Sequence, residues 1–330
     1  MSYIVDLKVD IISFPLHTPF RISRGVKTQA DAVAVTINDE AGNEFMAECI
    51  PYGRYGETPD SVAGQIEKAR KYLIGNRVTV EDVQPLLPPG AARNALDWAV
   101  WKYSRRMNSL PAPPAYIKSA QTIPIADGAK MVNMAQAAKS SVLKIKLGGP
   151  GDLELLKAVS KAAPDKEIII DANEGWDIDT FSNSLAVLLG CNVRMVEQPL
   201  PADSDEALIN FQSPVPIYAD ESVHTCKDLE ALAPKYTGVN IKLDKTGGLT
   251  EALKLKEKAL KLGFEVMVGC MVCSSLSIEP ALYLVDDHLS WIDLDGAFWL
   301  EKDYRPPAIN YDFWENDLGF PVAVAGTPSS

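Results

Sequence analysis

The fold of this chain is decided by four short apolar segments, each of which ends in a charged residue. The segments are EIIIDAN (167–173), NVRMVEQP (192–199), PIYADES (216–222) and GVNIKLD (238–244), and the charged residues are Asp171, Glu197, Asp220 and Lys242. Successive charged residues are separated by about the length of one strand plus one helix, which is the repeat of a (β/α) barrel. Because the active site of such a barrel lies where its strands end, the four side chains are predicted to meet at one mouth.

Strand and helix patterns alternate around these segments from about residue 120 onward. Such alternation predicts parallel strand pairing, with helices covering the outside of the sheet. Eight strands are predicted near residues 122–125, 142–147, 167–172, 193–198, 215–220, 239–243, 265–270 and 291–295. We therefore predict an α/β fold, a modified (β/α)7β TIM-like barrel, as the catalytic domain over residues 113–296.

An α+β capping domain is predicted to precede the barrel over residues 1–112. Its predicted elements are strands within 3–17 and 31–49, the latter folded into a hairpin at Glu40-Ala41-Gly42, and helices at 60–74 and 91–107. The Pro-rich stretch LPAPPAY (110–116) is predicted to link the two domains, because proline interrupts helices and stiffens the chain. The aromatic and Pro-rich tail over 297–330 is predicted to return to the cap and complete it.

Length and composition are those of an ordinary globular protein that does not bind a macromolecular polyanion. The chain has 330 residues, of which 47% are hydrophobic and 23% charged, and its formal net charge is −12. This negative charge argues against a nucleic acid or an anionic membrane as partner. The amino-terminal segment lacks the apolar core of a signal peptide, and no stretch approaches the roughly 18 apolar residues of a membrane span. Five scattered cysteines do not suggest a disulfide framework, so a reduced, cytoplasmic protein is expected.

The three acidic residues at the strand ends point to a metal site. Carboxylates brought so close together repel one another unless a cation shares them, and ligands that are all oxygen favour a hard ion such as Mg²⁺. The alternative is that each acid caps the helix that follows its strand, since Asp and Glu favour helix starts. A single acid is more often a cap, but three at matched ends favour a metal. Asp171, Glu197 and Asp220 are therefore the predicted ligands.

Two lysines of the segment VLKIKLG (142–148) are predicted to face the carboxylates. Lys144 and Lys146 lie two residues apart, so on a strand their side chains point to the same face. On an exposed sheet edge such lysines would only oppose aggregation, but a closed barrel has no edge. Their mutual repulsion is predicted to lower the pKa of at least one of them towards that of a usable base. Lys242 lies on another strand, across the barrel from this pair.

Several motifs resemble the enolase superfamily, namely KIKLGG (144–149), DANEGW (171–176), VEQPLP (196–201), ADES (219–222) and NIKLDKTGGLTEAL (240–253). The K-x-K on the second strand and the lysine on the sixth are typical of its muconate-lactonizing subgroup. The DLDG at 293–296 resembles the D-x-D of dipeptide epimerases. The segments PLHTPFRISRG (15–25), PYGRYGE (51–57), GAARNALDWA (90–99) and VGCMVCSS (268–275) are similar to those of the L-Ala-D/L-Glu epimerases of enteric bacteria.

The resemblance implies a role for each predicted site residue. Mg²⁺ would be held by Asp171, Glu197 and Asp220, the acid/base pair would be Lys146 and Lys242, and a second positive contact would come from Lys144. The substrate's ammonium would lie at Asp293 and Asp295, and its glutamate side chain would be bound by Arg24, in a flexible loop of the cap. The pocket would be completed by Thr122 and the backbone from Met271 to Cys273. Relatives are often multimeric, so the resemblance also implies a possible homo-oligomer.

The implied activity is Mg²⁺-dependent epimerisation of L-Ala-D-Glu and L-Ala-L-Glu at the glutamate α-carbon. One lysine would remove the α-proton to give an enediolate, and the other would return a proton to the opposite face of the carbon. The reaction would serve murein peptide recycling. The first alternative is an o-succinylbenzoate synthase or muconate cycloisomerase reaction, which the D-x-D disfavours because an aromatic acid has no ammonium to place there. The second is a non-catalytic barrel that keeps the metal site, and the presence of all three lysines argues against it. No histidine follows the predicted ligands at a strand end, which argues against the mandelate-racemase branch.

Overall fold

The structure, a computed structural model, describes residues 1–114, 116–149 and 151–308 and the backbone of 320–321. The chain begins with an antiparallel sheet of three strands, Ile4–Ile22 (β1), Gly25–Asp39 (β2) and Glu44–Cys49 (β3), in which β2 is central. Val33, Val35 and Ile37 alternate along β2, so they share one face, and all three are fully buried in the core.

The hairpin between β1 and β2 is longer than the sequence predicted. The strands continue to Ile22 and resume at Gly25, so Ser23 and Arg24 form a tight tip where a flexible loop was expected. The predicted end near residue 17 lies where the structure shows a shift of the pairing register, between Pro15 and Phe20. Proline has no N–H to donate to a ladder, so this stretch interrupts the regular pattern without ending the strand.

Three helices follow in the cap, Pro59–Leu73 (α1), Val80–Val83 (α2) and Ala91–Tyr103 (α3). At the start of α1, Thr58 and Ser61 form a capping box, in which each side chain accepts the backbone N–H of the other. The helices predicted at 60–74 and 91–107 correspond to α1 and α3, and α3 ends earlier than predicted, at Tyr103.

Eight parallel strands form a nearly closed barrel after the short strand Tyr116–Ile117 (β4). In chain order they are Gln121–Ile123 (β5), Val142–Lys146 (β6), Glu167–Asp171 (β7), Val193–Glu197 (β8), Ile217–Ala219 (β9), Gly238–Ile241 (β10), Glu265–Gly269 (β11) and Trp291–Asp293 (β12). Their order in the sheet is their order in the chain, and a bond from Ala120 N to Ile292 O (2.7 Å) bridges the seam between β12 and β5. The predicted barrel with an α+β cap is confirmed.

The helices of the barrel are Gly128–Ala137 (α4), Asp152–Ala162 (α5), Ile178–Gly190 (α6), Leu229–Leu232 (α7), Leu243–Thr246 (α8), Leu249–Lys261 (α9) and Ser275–Ile278 (α10). Two aspartates cap them: Asp127 accepts the N–H of Lys130 at the start of α4, and Asp177 accepts that of Thr180 at the start of α6. In the described part of the chain, the three acids predicted as metal ligands cap none of these helices, so helix capping does not explain them.

A layer of apolar side chains fills the barrel below the charged strand ends. Ile169, Met195 and Tyr218 each lie two residues before one of the three acids, so they point to the same interior. Ala120 and Met267 complete this fully buried cluster. Among the described residues, this layer fills the barrel below the acids, and the cavity that reaches them lies on the cap side.

Helix α3 fastens the cap to the barrel through buried polar side chains. Arg93 donates to the carbonyl oxygens of Thr246 (2.6 Å) and Gly247 (3.0 Å), and Asn94 donates to Asp244 Oδ1 (2.8 Å). These acceptors lie in and after α8, directly beyond the end of β10. The cap is therefore fixed close to the strand ends that carry the charged residues.

Replacing Gly248 by alanine is expected to lower the free energy of unfolding by about 2–3 kcal/mol, measured by denaturant unfolding. Gly248 has φ +111°, and a Cβ added there would lie 2.5 Å from Cβ of Asp97. Asp97 cannot easily move, because its carboxylate accepts the N–H of Thr250 (3.0 Å). The matched control is Gly64→Ala in α1, where an added Cβ meets no atom within 4 Å and stability should stay or rise by up to about 1 kcal/mol. Equal stabilities of the two variants would contradict this account.

The described part of the tail contacts the cap. Leu300 forms an antiparallel bridge with Leu16, and Glu301 N donates to Pro15 O (2.8 Å). The backbone of Phe320–Pro321 (β13) pairs with β4. The rest of the predicted return after residue 308 lies outside the described residues, and the exact domain boundaries stay a prediction. Within the described ranges, no helix is long and apolar enough to cross a membrane.

Candidate active site

The strand register brings the three predicted acids to one level. Lys146 pairs with Asp171, Asp171 with Glu197, and Glu197 with Tyr218, so the ends of β6 to β9 lie side by side. Asp171, Glu197 and Asp220, here called the acid cluster, are buried, and one carboxylate oxygen of each lies within 4.8 Å of those of the others. Among the described residues, this is the group of acids placed to share a metal ion.

Lys146 and Lys242 approach the acid cluster from opposite sides of the barrel. Lys146 ends β6 and Lys242 directly follows β10, and these strands are four positions apart in a ring of eight. Lys146 Nζ lies 2.5 Å from Asp171 Oδ2, and Lys242 Nζ lies 2.6 Å from Asp220 Oδ2. The two amines therefore flank the acids in the arrangement that the sequence predicted for an acid/base pair.

Lys144 is buried among carboxylates. Its Nζ lies 2.7 Å from Glu197 Oε2, 2.7 Å from Asp293 Oδ2 and 3.2 Å from Asp171 Oδ2. Burial alone would lower the pKa of Lys144, but Asp293, Glu197 and Asp171 outweigh it and raise this pKa well above its usual value. The expectation of a lowered pKa from repulsion by Lys146 is thus wrong for Lys144, because three carboxylates lie within ion-pair distance.

The acid cluster fits a further cation. Burial and the charge of Asp171 raise the pKa of Glu197 to about 7, although Lys144 opposes this. Glu197 Oε2 accepts no hydrogen bond, since Lys144 Nζ lies near it but outside hydrogen-bonding geometry. A buried carboxyl group that keeps a proton near neutral pH and has an oxygen without a hydrogen bond shows that the lysines do not fully neutralise the negative charge of the acid cluster. Three such oxygen donors suit a hard divalent ion.

Three polar residues that the sequence analysis did not single out hold the acid cluster in place. Gln198 Oε1 accepts the backbone N–H of Asp220 (2.9 Å), and Asn240 Nδ2 donates to Glu197 Oε1 (2.8 Å). Lys245 Nζ donates to Asp220 Oδ1 (2.5 Å). In the sequence, each of these residues is visible only as a polar residue inside or next to an apolar run. Its hydrogen-bond partner is far away in the sequence, so only the fold shows which residue it contacts.

The two aspartates of the D-x-D lie beside the seam between β12 and β5. Thr122 N donates to Asp295 Oδ2 (2.7 Å), and Lys144 Nζ donates to Asp293 Oδ2 (2.7 Å). Burial and the neighbouring Asp293 raise the pKa of Asp295 to about 7. Asp293 Oδ1 is buried and has no hydrogen-bond partner among the described residues. These carboxyl groups have spare capacity for a cationic group of a ligand.

A cavity of about 620 Å³ lies between the acid cluster and the cap. Its lining includes Thr122, Lys144, Lys146, Asp220, Lys242, Met271, Asp293 and Asp295 from the barrel, and residues of the β1–β2 hairpin and of the 3-10 helix Gly53–Tyr55 from the cap. Met271 and Val272 line the cavity, whereas Cys273 is buried and does not, so the predicted substrate contact of the backbone from Met271 to Cys273 stays a prediction. Cys273 lies behind Gly296, where an added Cβ would come within 3.1 Å of its sulfur.

Arg24 reaches the barrel from the tip of the hairpin. Its Nη1 donates to Asn173 O (2.8 Å) and Glu174 Oε2 (2.8 Å), and its Nη2 donates to Tyr52 Oη (2.8 Å) and Glu221 Oε1 (2.5 Å). The structure therefore places Arg24 at the cavity, as predicted. Both of its terminal nitrogens are already bonded to groups of the protein.

The barrel, the buried acid cluster and the lysines on its two sides form an arrangement that suits acid/base chemistry beside a cation. The family described as "Enolase C-terminal domain-like" matches residues 127–314. The chain belongs to the enolase superfamily, which confirms the resemblance seen in its motifs.

Relatives match the chain over most of its length. The L-Ala-D/L-Glu epimerase of Escherichia coli is 44% identical over 310 residues, which are 91% of this chain and 96% of the relative. The N-acetyl-D-glutamate racemase of a Pseudoalteromonas species is 41% identical over 278 residues, 80% of this chain and 87% of the relative. These relatives are isomerases, and the predicted enzyme class of this chain is confirmed.

A solved structure of an enolase family member from Agrobacterium tumefaciens is similar throughout. It has a TM-score of 0.90 and 40% identity, over 96% of this chain and 98% of its own. That protein is described as homologous to dipeptide epimerases, and its structure contains sodium and L-Ala-L-Glu.

Proposed function

We propose that the chain is a dipeptide epimerase that interconverts L-Ala-D-Glu and L-Ala-L-Glu at the glutamate α-carbon. The observation that carries the proposal is the position of Lys146 and Lys242 on opposite sides of the acid cluster. Inversion requires that one proton leave the carbon on one face and another arrive on the opposite face, and one amine on each side can serve both steps. The relatives from E. coli and A. tumefaciens support this choice of substrate.

Mg²⁺ is the proposed cofactor, with Asp171, Glu197 and Asp220 as its ligands. The donors are buried oxygens, and the unsatisfied Glu197 Oε2 supports a hard cation. When bound, the ion would act as a Lewis acid that offsets the charge developing on the substrate's carboxylate, an arrangement typical of the enolase superfamily. Lys144 lies beside the cluster and is paired with three carboxylates. Its ammonium would be a second positive group near the charge that develops on the substrate's carboxylate.

The proton transfers are assigned to the two flanking amines. Lys146 would remove the α-proton of one epimer while Lys242 delivers a proton to the other face, and the roles would reverse for the other epimer. Each Nζ is held by a carboxylate, Lys146 by Asp171 and Lys242 by Asp220, so both are positioned before a substrate binds.

Racemisation of an N-acylated glutamate is the second candidate, favoured by the identity to the Pseudoalteromonas racemase. Such a substrate has no ammonium, so it would offer Asp293 and Asp295 no cationic group to bind. The unsatisfied Asp293 Oδ1 supports the dipeptide instead. The wider role in murein peptide recycling stays a prediction from the resemblance of the motifs.

The function is tested by incubating the protein with Mg²⁺ and L-Ala-L-Glu in D₂O and recording NMR spectra. The proposal requires loss of the glutamate α-proton signal and appearance of the L-Ala-D-Glu diastereomer. N-acetyl-L-glutamate in a parallel sample tests the second candidate. A protein that gave no second diastereomer from the dipeptide would not be the proposed epimerase, and a synthase or a non-catalytic barrel would show this result.

The pH dependence of KM is expected to report Asp295. Its pKa of about 7 means that it is partly protonated near neutral pH, whereas an ammonium ligand prefers the ionised carboxylate. Binding therefore releases a proton, and KM for L-Ala-L-Glu should rise by up to roughly tenfold for each pH unit below about 7.

Asp295→Asn should raise KM and remove this dependence, and it would be compared with the unmodified protein between about pH 5 and pH 8. N-acetyl-L-glutamate, if it is turned over, is the control substrate, because it carries no ammonium. A KM for the dipeptide that did not change with pH would contradict the assigned role of Asp295.

A further inference from the structure

Lys27 is a cation of the cavity wall that has no carboxylate partner among the described residues. Among the described residues, six cationic side chains line the cavity: Arg24, Lys27, Arg54, Lys144, Lys146 and Lys242. Five of them form ion pairs with carboxylates of the protein. The ammonium of Lys27, on β2 opposite Phe20, has neither an ion pair nor a hydrogen bond with any residue that the structure describes.

The surroundings of Lys27 make an unpaired charge unfavourable. Its ammonium lies 5.2 Å from the ring centre of Tyr52, and its side chain is partly buried in the cavity wall. Burial lowers the pKa of Lys27, although the more distant carboxylates of Asp31 and Asp244 oppose this. An anionic group of a ligand would restore the lost solvation of this ammonium and gain a charge-assisted hydrogen bond.

Arg24, unlike Lys27, already binds groups of the protein. Its two terminal nitrogens make four hydrogen bonds, to Asn173, Glu174, Tyr52 and Glu221. Glu174 is also held by Arg54, at 2.8 Å and 2.9 Å. To bind a substrate carboxylate, Arg24 would have to break bonds with carboxylates that it already neutralises. Its contacts instead tie the tip of the hairpin to the loops after β7 and β9.

We propose that Lys27 binds the side-chain carboxylate of the substrate, and that Arg24 fastens the hairpin that carries Lys27 over the cavity. The inference rests on the proposed function. It assigns the preference of the proposed epimerase for an acidic side chain to Lys27, a residue that the motifs did not indicate. The placement is consistent with the other charges: the ammonium-binding aspartates and the acid cluster belong to the barrel, and Lys27 belongs to the cap. The substrate's fixed groups are thus bound by the barrel and its variable side chain by the cap.

The inference is tested with Lys27→Met, Lys27→Arg and Arg24→Met, by measuring kcat/KM for L-Ala-L-Glu and for L-Ala-L-Gln. The glutamine dipeptide has nearly the same shape but no side-chain charge. Lys27→Met should lower kcat/KM for the glutamate dipeptide by about 10- to 100-fold and change it far less for the glutamine dipeptide. Lys27→Arg should keep most of the preference for glutamate. Arg24→Met should lower kcat/KM for both dipeptides by similar factors, because it loosens the hairpin and not the charge recognition.

The ratio of the two kcat/KM values distinguishes the assignments. A ratio unchanged in Lys27→Met, or one that collapses in Arg24→Met, would overturn the inference while leaving the epimerase function intact. Inactivity of the unmodified protein towards both dipeptides would instead overturn the proposed function, and this inference with it. Lys139→Met, an exposed lysine away from the cavity, is the control for the loss of a positive charge and should leave the ratio unchanged.

Discussion

Replacing Lys242 by methionine is expected to lower kcat for epimerisation by about 1000-fold or more, and Lys146→Met should have an effect of the same size. Methionine keeps an unbranched apolar side chain but cannot carry a proton. Each variant retains the amine on the other side of the acid cluster. Each should therefore still exchange the α-proton of one diastereomer with solvent deuterium, and the two variants should retain exchange in opposite diastereomers.

This pattern is measured by NMR in D₂O, starting separately from L-Ala-L-Glu and L-Ala-D-Glu. Lys139→Met again serves as the control, and it should exchange both diastereomers at the rate of the unmodified protein. If both active-site variants lost exchange equally from both diastereomers, or both kept exchange from the same one, the assignment of one amine to each face would be wrong.

Replacing Glu197 by glutamine is expected to weaken Mg²⁺ binding by on the order of 100-fold and to lower kcat by about 1000-fold. Glutamine has nearly the same shape, and its carbonyl oxygen can still accept the bond that Asn240 donates to Glu197. What it lacks is the negative charge. Because the pKa of Glu197 is already raised to about 7 without a metal, the neutral side chain should change the stability of the metal-free protein little.

The predicted readout is the rise in Tm on adding Mg²⁺. At a metal concentration of about 100 times Kd, binding should stabilise the unmodified protein by about 2.7 kcal/mol, and the variant should gain little at the same concentration. Glu167→Gln is the matched control, since Glu167 is at the other end of β7, half-buried, and paired with Arg194 (2.9 Å). An equal Mg²⁺-induced rise in Tm for Glu197→Gln and the unmodified protein would remove Glu197 from the metal site.

The barrel could be predicted because each of its strands carries its own signal. A short apolar run ending in a charged residue, as in EIIID and VRMVE, is interpretable without knowledge of its partners, and the alternation with helices implies parallel pairing. The long hairpin of the cap was mispredicted for a comparable local reason. The predicted first strand ended at residue 17, in a stretch that contains Pro15 and Pro19. Pairing with β2 continues the strand to Ile22.

Charges and contacts were less predictable than positions. The repulsion between Lys144 and Lys146 can be inferred from their spacing, but the effect of Asp293 on Lys144 cannot, because the two residues meet only when β12 closes the barrel near β6. The resemblance placed the backbone from Met271 to Cys273 in the pocket, but it could not show which of these side chains face the cavity. The close approach of Gly296 leaves that cysteine behind the cavity wall.

The sequence by itself determined the class of fold, the identity of the three acids and the lysines, and the family, because these depend on residue type and on spacing along the chain. Only the tertiary structure decided which charges are paired. It showed Arg24 paired with Glu174 and Glu221, and Lys27 in the same cavity without a carboxylate partner among the residues described. The physical reason is that an ion pair depends on distances of a few ångströms between residues far apart in sequence, and only the packed chain sets those distances.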